Sequence, residues 1–284
     1  MRIAKSVDEL RAAVHAARVA GATVGFVPTM GFLHDGHLAL VDDARAAGAT
    51  FVVVSIFVNP LQFGPNEDFA RYPRNEERDA ELLASRSVDL LFLPTVETMY
   101  PAGATTVVKA GDVAQPLEGE RRPGHFDGVA TVVLKLFNIV QPDLAAFGRK
   151  DAQQCAVIEA MVRDLDLPLR LVFGDTRREA DGLAMSSRNS YLSPEERAVA
   201  PALHRVLRAG EEALTHGVAD VDAVETVMRR MMAETPQVEV DYLVLVDPAT
   251  FLPPADLRRE LLLAGAVKLG RTRLIDNIRV TMRG

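Results

Sequence analysis

The chain has a single cysteine, Cys155, among 284 residues. That excludes an internal disulfide and a zinc cage built on cysteine. Long hydrophobic runs are missing too. The longest apolar stretches, such as "FVVVSIFV", fall far short of the roughly 18 residues that suggest a membrane span. The opening "MRIAKSVDEL" has no apolar core of the signal-peptide kind. Positive charge is not in excess either: the formal net charge is −7, whereas a nucleic-acid-binding domain is expected to be basic. The expectation is a soluble cytoplasmic protein with neither a nucleic-acid nor a membrane partner.

What is present reads as an ordinary globular chain, 48% hydrophobic and 25% charged, long enough for an ample core. Basic residues gather in short groups: Arg71, Arg74 and Arg78; Arg121 and Arg122; Arg149 and Lys150; Arg177 and Arg178. A solvated surface is the ordinary explanation of any one group. A small anionic ligand remains compatible with the acidic total, because local fields matter more than net charge.

Residues 6 to 20 predict a helix opened by a capping box, Ser6 with Glu9. "TVGFVPT", "FVVVSIFV", "VDLLFLPT", "LAAFG" and "LRLVFGD" are short, apolar and suited to strands buried on both faces. Helical patterns separate them: "GHLALVDDARAAG", "NEERDAELLASRS", "FDGVATVVLKLFNIVQPD" and "DAQQCAVIEAMVRDLDLP". The alternation over residues 23 to 175 predicts an α/β fold with a doubly wound, Rossmann-like parallel sheet. Such sheets bind ligands beyond the carboxyl ends of their strands. From about residue 176 the pattern changes to a polar connection, "READGLAMSSRNSYLSPEER". Then come a helix capped by Ser193, Pro194 and Glu196, a second helix near 220 to 234, and two strand-like runs, "VEVDYLVLVD" and "ELLLAGAVKLG", followed by "TRLIDNIRV". The expected division is a Rossmann-like domain over 1–176 and a smaller α+β domain over 177–284.

In "PTMGFLHDGHLAL" two of the six histidines, His34 and His37, stand between a strand end and a helix start. A helix N-terminus carries unpaired N–H groups and partial positive charge, which suits phosphate. Gly31 and Gly36 let backbone approach a ligand, and imidazole N–H groups can follow developing charge. The plainer alternative is a pair of turn histidines making local hydrogen bonds. Two histidines cannot complete a zinc site, and the strict phosphate-loop and dinucleotide fingerprints are absent. Cys155, inside a helical pattern, reads as packed. Asp151 and Gln154, in "DAQQ", fit local helix capping as well as a ligand role.

"HDGH" has the H-x-G-H form of the nucleotidyltransferase superfamily. Together with "FVNPLQFGPNEDFARYPR", "RPGHFDGVATVV", "FGRKDAQQ", "READGLAMSSRNSYL" and "TRLIDNIRV", it resembles the pantoate–beta-alanine ligase family over about residues 24 to 280. The resemblance implies condensation of pantoate with beta-alanine at the expense of ATP, through a pantoyl adenylate, with AMP and pyrophosphate released. It implies a smaller C-terminal domain acting as a lid, a homodimer, and Mg2+ on the phosphates, held mainly by ATP and water so that no dense carboxylate cage is required. By the same resemblance ATP meets Met30, Gly31, Phe32, Leu33, His34, Asp35, Gly36 and His37. It further meets Gly148, Arg149, Lys150 and Asp151, then Arg177, Met185, Ser186, Ser187 and Arg188. His34, His37 and Lys150 carry catalysis, with His37 the family's proton donor. Gln62 and Gln154 hold pantoate, and Gln62 also meets beta-alanine, with Asn59, Tyr72 and Arg122 weaker neighbours. Two departures stand out: Phe32 where a small residue is usual, and Arg149 where an acidic or amide residue is usual. Competing readings are another adenylyltransferase of the superfamily and a non-catalytic nucleotide sensor. Neither needs the "NPLQFG" pocket together with both histidines.

Overall fold

The computed structural model describes residues 1–282. They divide into two compact units: Met1–Arg149 with Gln154–Asp175, and Lys150–Gln153 with the described residues from Thr176 onward.

The first unit carries strands β1 (Arg2–Ala4), β2 (Val24–Thr29), β3 (Phe51–Ile56), β4 (Leu90–Phe92), β5 (Leu144–Gly148) and β6 (Arg170–Gly174). Its helices are α1 (Val7–Val19), α2 (Asp35–Ala46), α3 (Glu76–Ser85), the single turns α4 (Val96–Met99) and α5 (Glu118–Arg121), α6 (His125–Val140) and α7 (Ala152–Asp164). The first turn of α7 groups with the second unit. The sheet is parallel throughout, in the order β1-β4-β3-β2-β5-β6. β1 is absent from the sequence reading. Three residues are too few to show a period, and only the pairing of Ile3 with Leu91 reveals the strand.

Alternation along the strands builds two cores. Phe26, Val53, Phe92 and Phe147 pack with Leu10 and Val14 of α1, Val133 and Leu136 of α6, and Ile158 of α7. Val27, Val52, Val54 and Leu91 face the other way, onto Leu38 and Val41 of α2 and Leu83 of α3. Each such fully buried side chain contributes about 1.5–3 kcal/mol relative to exposure. With both faces covered the strands must be apolar throughout, which is why they are legible as runs. The strand order reverses between β2 and β5, so the open crevice of the sheet lies at their carboxyl ends. Those ends lead into Met30–His34 and into Arg149.

The second unit holds α8 (Pro194–Val199), α9 (Ala202–Thr215) and α10 (Val221–Met232), then β7 (Glu239–Val246), β8 (Glu260–Leu269) and β9 (Thr272–Thr281) in an antiparallel sheet of order β7-β8-β9. Leu203 and Leu207 of α9 and Val224 and Met228 of α10 cover Leu243, Leu245, Leu261 and Leu263. The capping boxes predicted at Ser6/Glu9 and Ser193/Glu196 are both formed. Among the described residues no helix is long and apolar enough to cross a membrane.

Candidate active site

The loop after β2 is held by one buried carboxylate. Asp79 of α3, 1% exposed, accepts the Phe32 N–H at 2.6 Å and the Leu33 N–H at 2.8 Å. Thr29 Oγ1 accepts the Gly31 N–H and donates to the Ser55 carbonyl, which ties the same loop to β3. Gly31 sits at φ +82°, and a Cβ there would stand 2.8 Å from Ile56 Cγ2, so the position favours glycine on both counts. Phe32 is also left-handed, at φ +50°, with its ring 5.3 Å from the Arg78 guanidinium carbon. Burial pushes the Asp79 carboxyl above its usual range, partly offset by the Leu33 and Phe32 N–H groups. Sequence reasoning misses Asp79. The available signal is its helical spacing from Leu83, which puts an acid on the buried stripe of α3.

This loop delivers His34 and His37 to the start of α2. His34 is the N-cap: its Nδ1 accepts the Gly36 N–H at 3.1 Å, while the His34 N–H donates to His37 Nδ1 at 3.3 Å. The two rings lie 4.0 Å apart, tilted by 36°. Two accepting Nδ1 atoms place the proton of each neutral ring on Nε2. The expectation of unpaired N-terminal amides is thereby corrected. The Gly36 amide binds His34 Nδ1 and the His37 amide binds the His34 carbonyl, so the imidazoles stand where free N–H groups were expected. Leu33 packs its side chain into the core, and its amide and that of Phe32 are held by Asp79. Asp35 is exposed.

A second constellation of the first unit surrounds Gln62, in a 3-10 turn, Pro60–Gln62, after β3. Buried Asn59 donates to Gln62 Oε1 and to the Gly128 carbonyl, both at 3.1 Å, and accepts from Tyr100 OH at 2.8 Å. Burial pushes the Tyr100 hydroxyl well above its usual range. The Gln62 side-chain N–H reaches Met30 Sδ at 3.4 Å, which links the two constellations. Gly128 lets α6 touch this turn; a Cβ there would lie 2.4 Å from the Leu61 carbonyl oxygen. Behind the turn, Arg122 makes a bidentate pair with Glu67, both contacts at 2.7 Å. His125 Nδ1 donates to the Gln62 carbonyl at 2.9 Å, leaving Nε2 to accept from Arg122 at 3.0 Å. Burial, reinforced by the Arg122 charge, lowers His125 to about 4, so it is neutral at pH 7. Burial alone would raise the Glu67 carboxyl; the Arg122 hydrogen bonds and charge outweigh it and leave it lowered. Arg122 is therefore a brace whose charge is matched, and Tyr72, also buried, packs edge-on against Phe63.

A cavity of about 190 Å3 adjoins this loop, lined by Met30, Gly31, Arg74, Asp79 and Thr95 among others. Gly148 ends β5, and Arg149 turns along β6, 3.9 Å from Asp175 and 5.4 Å from the Phe173 ring centre. Cys155 is buried and donates to the Gly148 carbonyl, as a packed thiol should. Gln154 lies in the first turn of α7.

The remaining expected residues belong to the second unit. Lys150 and Asp151 end a 3-10 turn, and the Lys150 carbonyl accepts from Asn277 at 2.8 Å. Arg177 is exposed. Met185 donates its N–H to the Arg177 carbonyl, and Ser186 caps the 3-10 segment Ser187–Tyr191 by accepting the Arg188 N–H. Among the described residues no three His, Cys, Asp or Glu side chains lie close enough to hold a metal ion.

Comparison with known proteins gives these constellations a family. The family model described as "Pantoate-beta-alanine ligase" matches residues 2–279. A pantothenate synthetase of Herpetosiphon aurantiacus is 51% identical over 279 residues, 98% of this chain and 99% of that protein. One from Gluconobacter oxydans is 52% identical, covering 96% and 98%. The crystal structure of pantothenate synthetase from Thermus thermophilus superposes with a TM-score of 0.94 at 50% identity, over 99% of this chain and 100% of that one. That of the Francisella tularensis pantoate-beta-alanine ligase, complexed with beta-gamma ATP and beta-alanine, gives 0.81 at 32% identity over 98% and 97%. The chain belongs to the pantoate-beta-alanine ligase family.

Proposed function

We propose that the chain condenses pantoate with beta-alanine to pantothenate, consuming ATP and releasing AMP and pyrophosphate. In the first step a pantoate carboxylate oxygen attacks the α-phosphorus and the bond to the bridging oxygen breaks, so pyrophosphate leaves. In the second the beta-alanine amine attacks the pantoyl carbonyl, the C–O bond to AMP breaks, and the amine proton passes to solvent. The difficulty is an anion attacking a polyanion, which calls for positive or proton-donating groups at the phosphates and accurate placement of the carboxylate.

The observation that carries this reading is the reciprocally capped imidazole pair. With Nδ1 of His34 and of His37 each accepting a backbone N–H, their Nε2–H groups are donors for phosphate oxygens. His37 acts as proton donor. Lys150 supplies a compact charge for the phosphates, as does Arg188, with the hydroxyls of Ser186 and Ser187 as neutral donors. Gln62 positions pantoate and the incoming amine, supported by its tie to Asn59, and Gln154 positions the other side of pantoate. Met30, Gly31, Asp35, Gly36, Gly148, Arg149, Asp151, Arg177 and Met185 border the nucleotide. Phe32 and Leu33 serve as the anchored part of that border. Residues from 177 onward act as the lid. Mg2+, when bound, would lower the charge of the triphosphate and would be held mainly by phosphate oxygens and water. A cytoplasmic homodimer completes the proposal.

Exchange of labelled pyrophosphate into ATP tests it. Exchange must require pantoate, and His37→Ala and Lys150→Ala should each slow it by about 10²-fold. Wild-type exchange in either variant removes that residue from the first step. Hydroxylamine in place of beta-alanine should trap an activated pantoyl group. ADP as product would reject the adenylate route.

A further inference from the structure

One motif of the sequence remains without a role: "TRLIDNIRV", which forms β9. Its neighbours Asp276 and Asn277 are both buried, 5% and 8% exposed. The Asp276 carboxylate accepts Arg178 Nη1 at 2.6 Å and Nη2 at 3.0 Å, and the Asn277 N–H at 2.8 Å. His204 of α9 closes another side, with Nδ1 3.6 Å from Asp276 Oδ2. Burial would raise this carboxyl, but His204 and Arg178 outweigh it and leave it lowered.

Arg178 in turn begins a small hairpin. It bridges Ala184, and its guanidinium donates to the Gly182 carbonyl at 3.1 Å and the Asn277 carbonyl at 3.3 Å. The Met185 N–H is bound to the Arg177 carbonyl at 2.9 Å, and Asn189 Nδ2 to the Ala184 carbonyl at 3.0 Å. The segment Ser186–Arg188 therefore hangs from a hairpin whose base is the Arg178–Asp276 pair. Asn277, the next residue of the strand, holds the Lys150 carbonyl with its side-chain amide at 2.8 Å.

We propose that Asp276 and Asn277 are positioning residues for the ATP phosphates: Asn277 sets Lys150, and Asp276, through Arg178, sets Ser186–Arg188. The inference rests on the ATP roles given above to those two segments. Two stretches distant in sequence take their places from adjacent residues of one strand. A strand paired along its length is a stiffer reference than either loop alone. A buried ion pair contributes little net stability over an apolar replacement, whereas its fixed bidentate geometry defines one orientation of the hairpin.

The test is the Kd for ATP by calorimetry and the KM values in pyrophosphate exchange. Asn277→Ala should weaken ATP about tenfold and leave the pantoate KM within about twofold. The loss should vanish in a Lys150→Ala background, because Asn277 acts through Lys150. Arg178→Lys keeps the charge but not the fork, and should give a similar ATP-selective loss. An Asn277→Ala loss that persists undiminished beside Lys150→Ala overturns the Asn277 half. Wild-type ATP affinity in Arg178→Lys, or equal losses for ATP and pantoate, overturns the Asp276 half. Lys150→Ala that itself binds and exchanges as wild type removes the Lys150 role and the Asn277 half with it. The Arg178→Lys result then decides the rest, as it does if Asn277→Ala fails to fold.

Discussion

The loop Gly31–His37 in the first unit and the segment Arg178–Arg188 in the second are both polar backbone given to phosphate in the proposal, yet they are fixed by different chemistry. The first is fixed through its own amides: Asp79 accepts two N–H groups, and His34 with His37 caps the helix that follows. The second is fixed through a side chain, the bidentate Arg178–Asp276 pair. Amide anchoring dictates backbone shape residue by residue and permits left-handed φ at both Gly31 and Phe32. Side-chain anchoring fixes one point at the base of a hairpin and leaves the rest to the hairpin's own bonds. The first loop should therefore fail abruptly when its anchor is cut, while the second should fail by misplacement.

The sharpest break comes from Asp79→Ala. Two buried amides lose their acceptor, and the first unit should lose about 3 kcal/mol in urea unfolding. Pyrophosphate exchange should fall more than tenfold, because His34 and His37 follow this loop. Full activity at unchanged stability would show that the loop is held elsewhere. Asp79→Asn should recover only part, since its amide nitrogen meets an N–H donor.

Acid separates the two units in another way. His125 is neutral in the fold, with its value lowered from 6.5 to about 4, so its stabilising contribution is complete above 6.5 and is lost as pH falls toward 4. Over that window the loss should reach about 3 kcal/mol. Asp276 is lowered as well, so its contribution is present above the ordinary carboxylate range and declines only below it. Between pH 6.5 and about 4, stability should fall through the turn holding Gln62 while Arg178–Asp276 is intact. His125→Gln should flatten this acid limb. An unchanged limb in that variant would place the proton uptake on another group.

How much of this is legible in the sequence follows from the range of each interaction. The two-sided burial of β2 and β3 writes itself as apolar runs, and caps such as Ser6/Glu9 lie within four residues, so both are readable. The local bonds of His34 and His37 are legible because their partners, the Gly36 and His34 N–H groups, lie within three residues. The anchor Asp79, by contrast, meets amides 46 and 47 positions away, and Arg178 meets Asp276 98 positions away. No local period encodes such a pairing; an acid on an apolar helix stripe is the single trace that Asp79 leaves. Arg122, a weak neighbour by resemblance, is another such case: only the fold shows its bidentate pair with Glu67, 55 positions away.

A smaller effect is expected at Gly31→Ala. The left-handed φ and the approach to Ile56 Cγ2 and Asp79 Oδ2 should together cost about 1–2 kcal/mol in urea unfolding. A neutral result would mean that the loop relaxes away from Asp79, and it would weaken the contrast with Arg178.

Phe32→Gly should have the smallest effect, and its sign discriminates. Glycine relieves about 1 kcal/mol of left-handed strain at φ +50°. Against that stands the Arg78 guanidinium facing the ring, an interaction of about 0.5–1 kcal/mol at a partly exposed site. The added freedom of the unfolded chain subtracts a similar amount. If amides and not side chains fix this loop, these contributions nearly cancel and stability changes by less than about 1 kcal/mol, with Asp79 still binding both N–H groups. A loss of several kcal/mol would instead make the Phe32 ring a second anchor. The first loop would then depend, as the second does, on a side chain in a particular orientation.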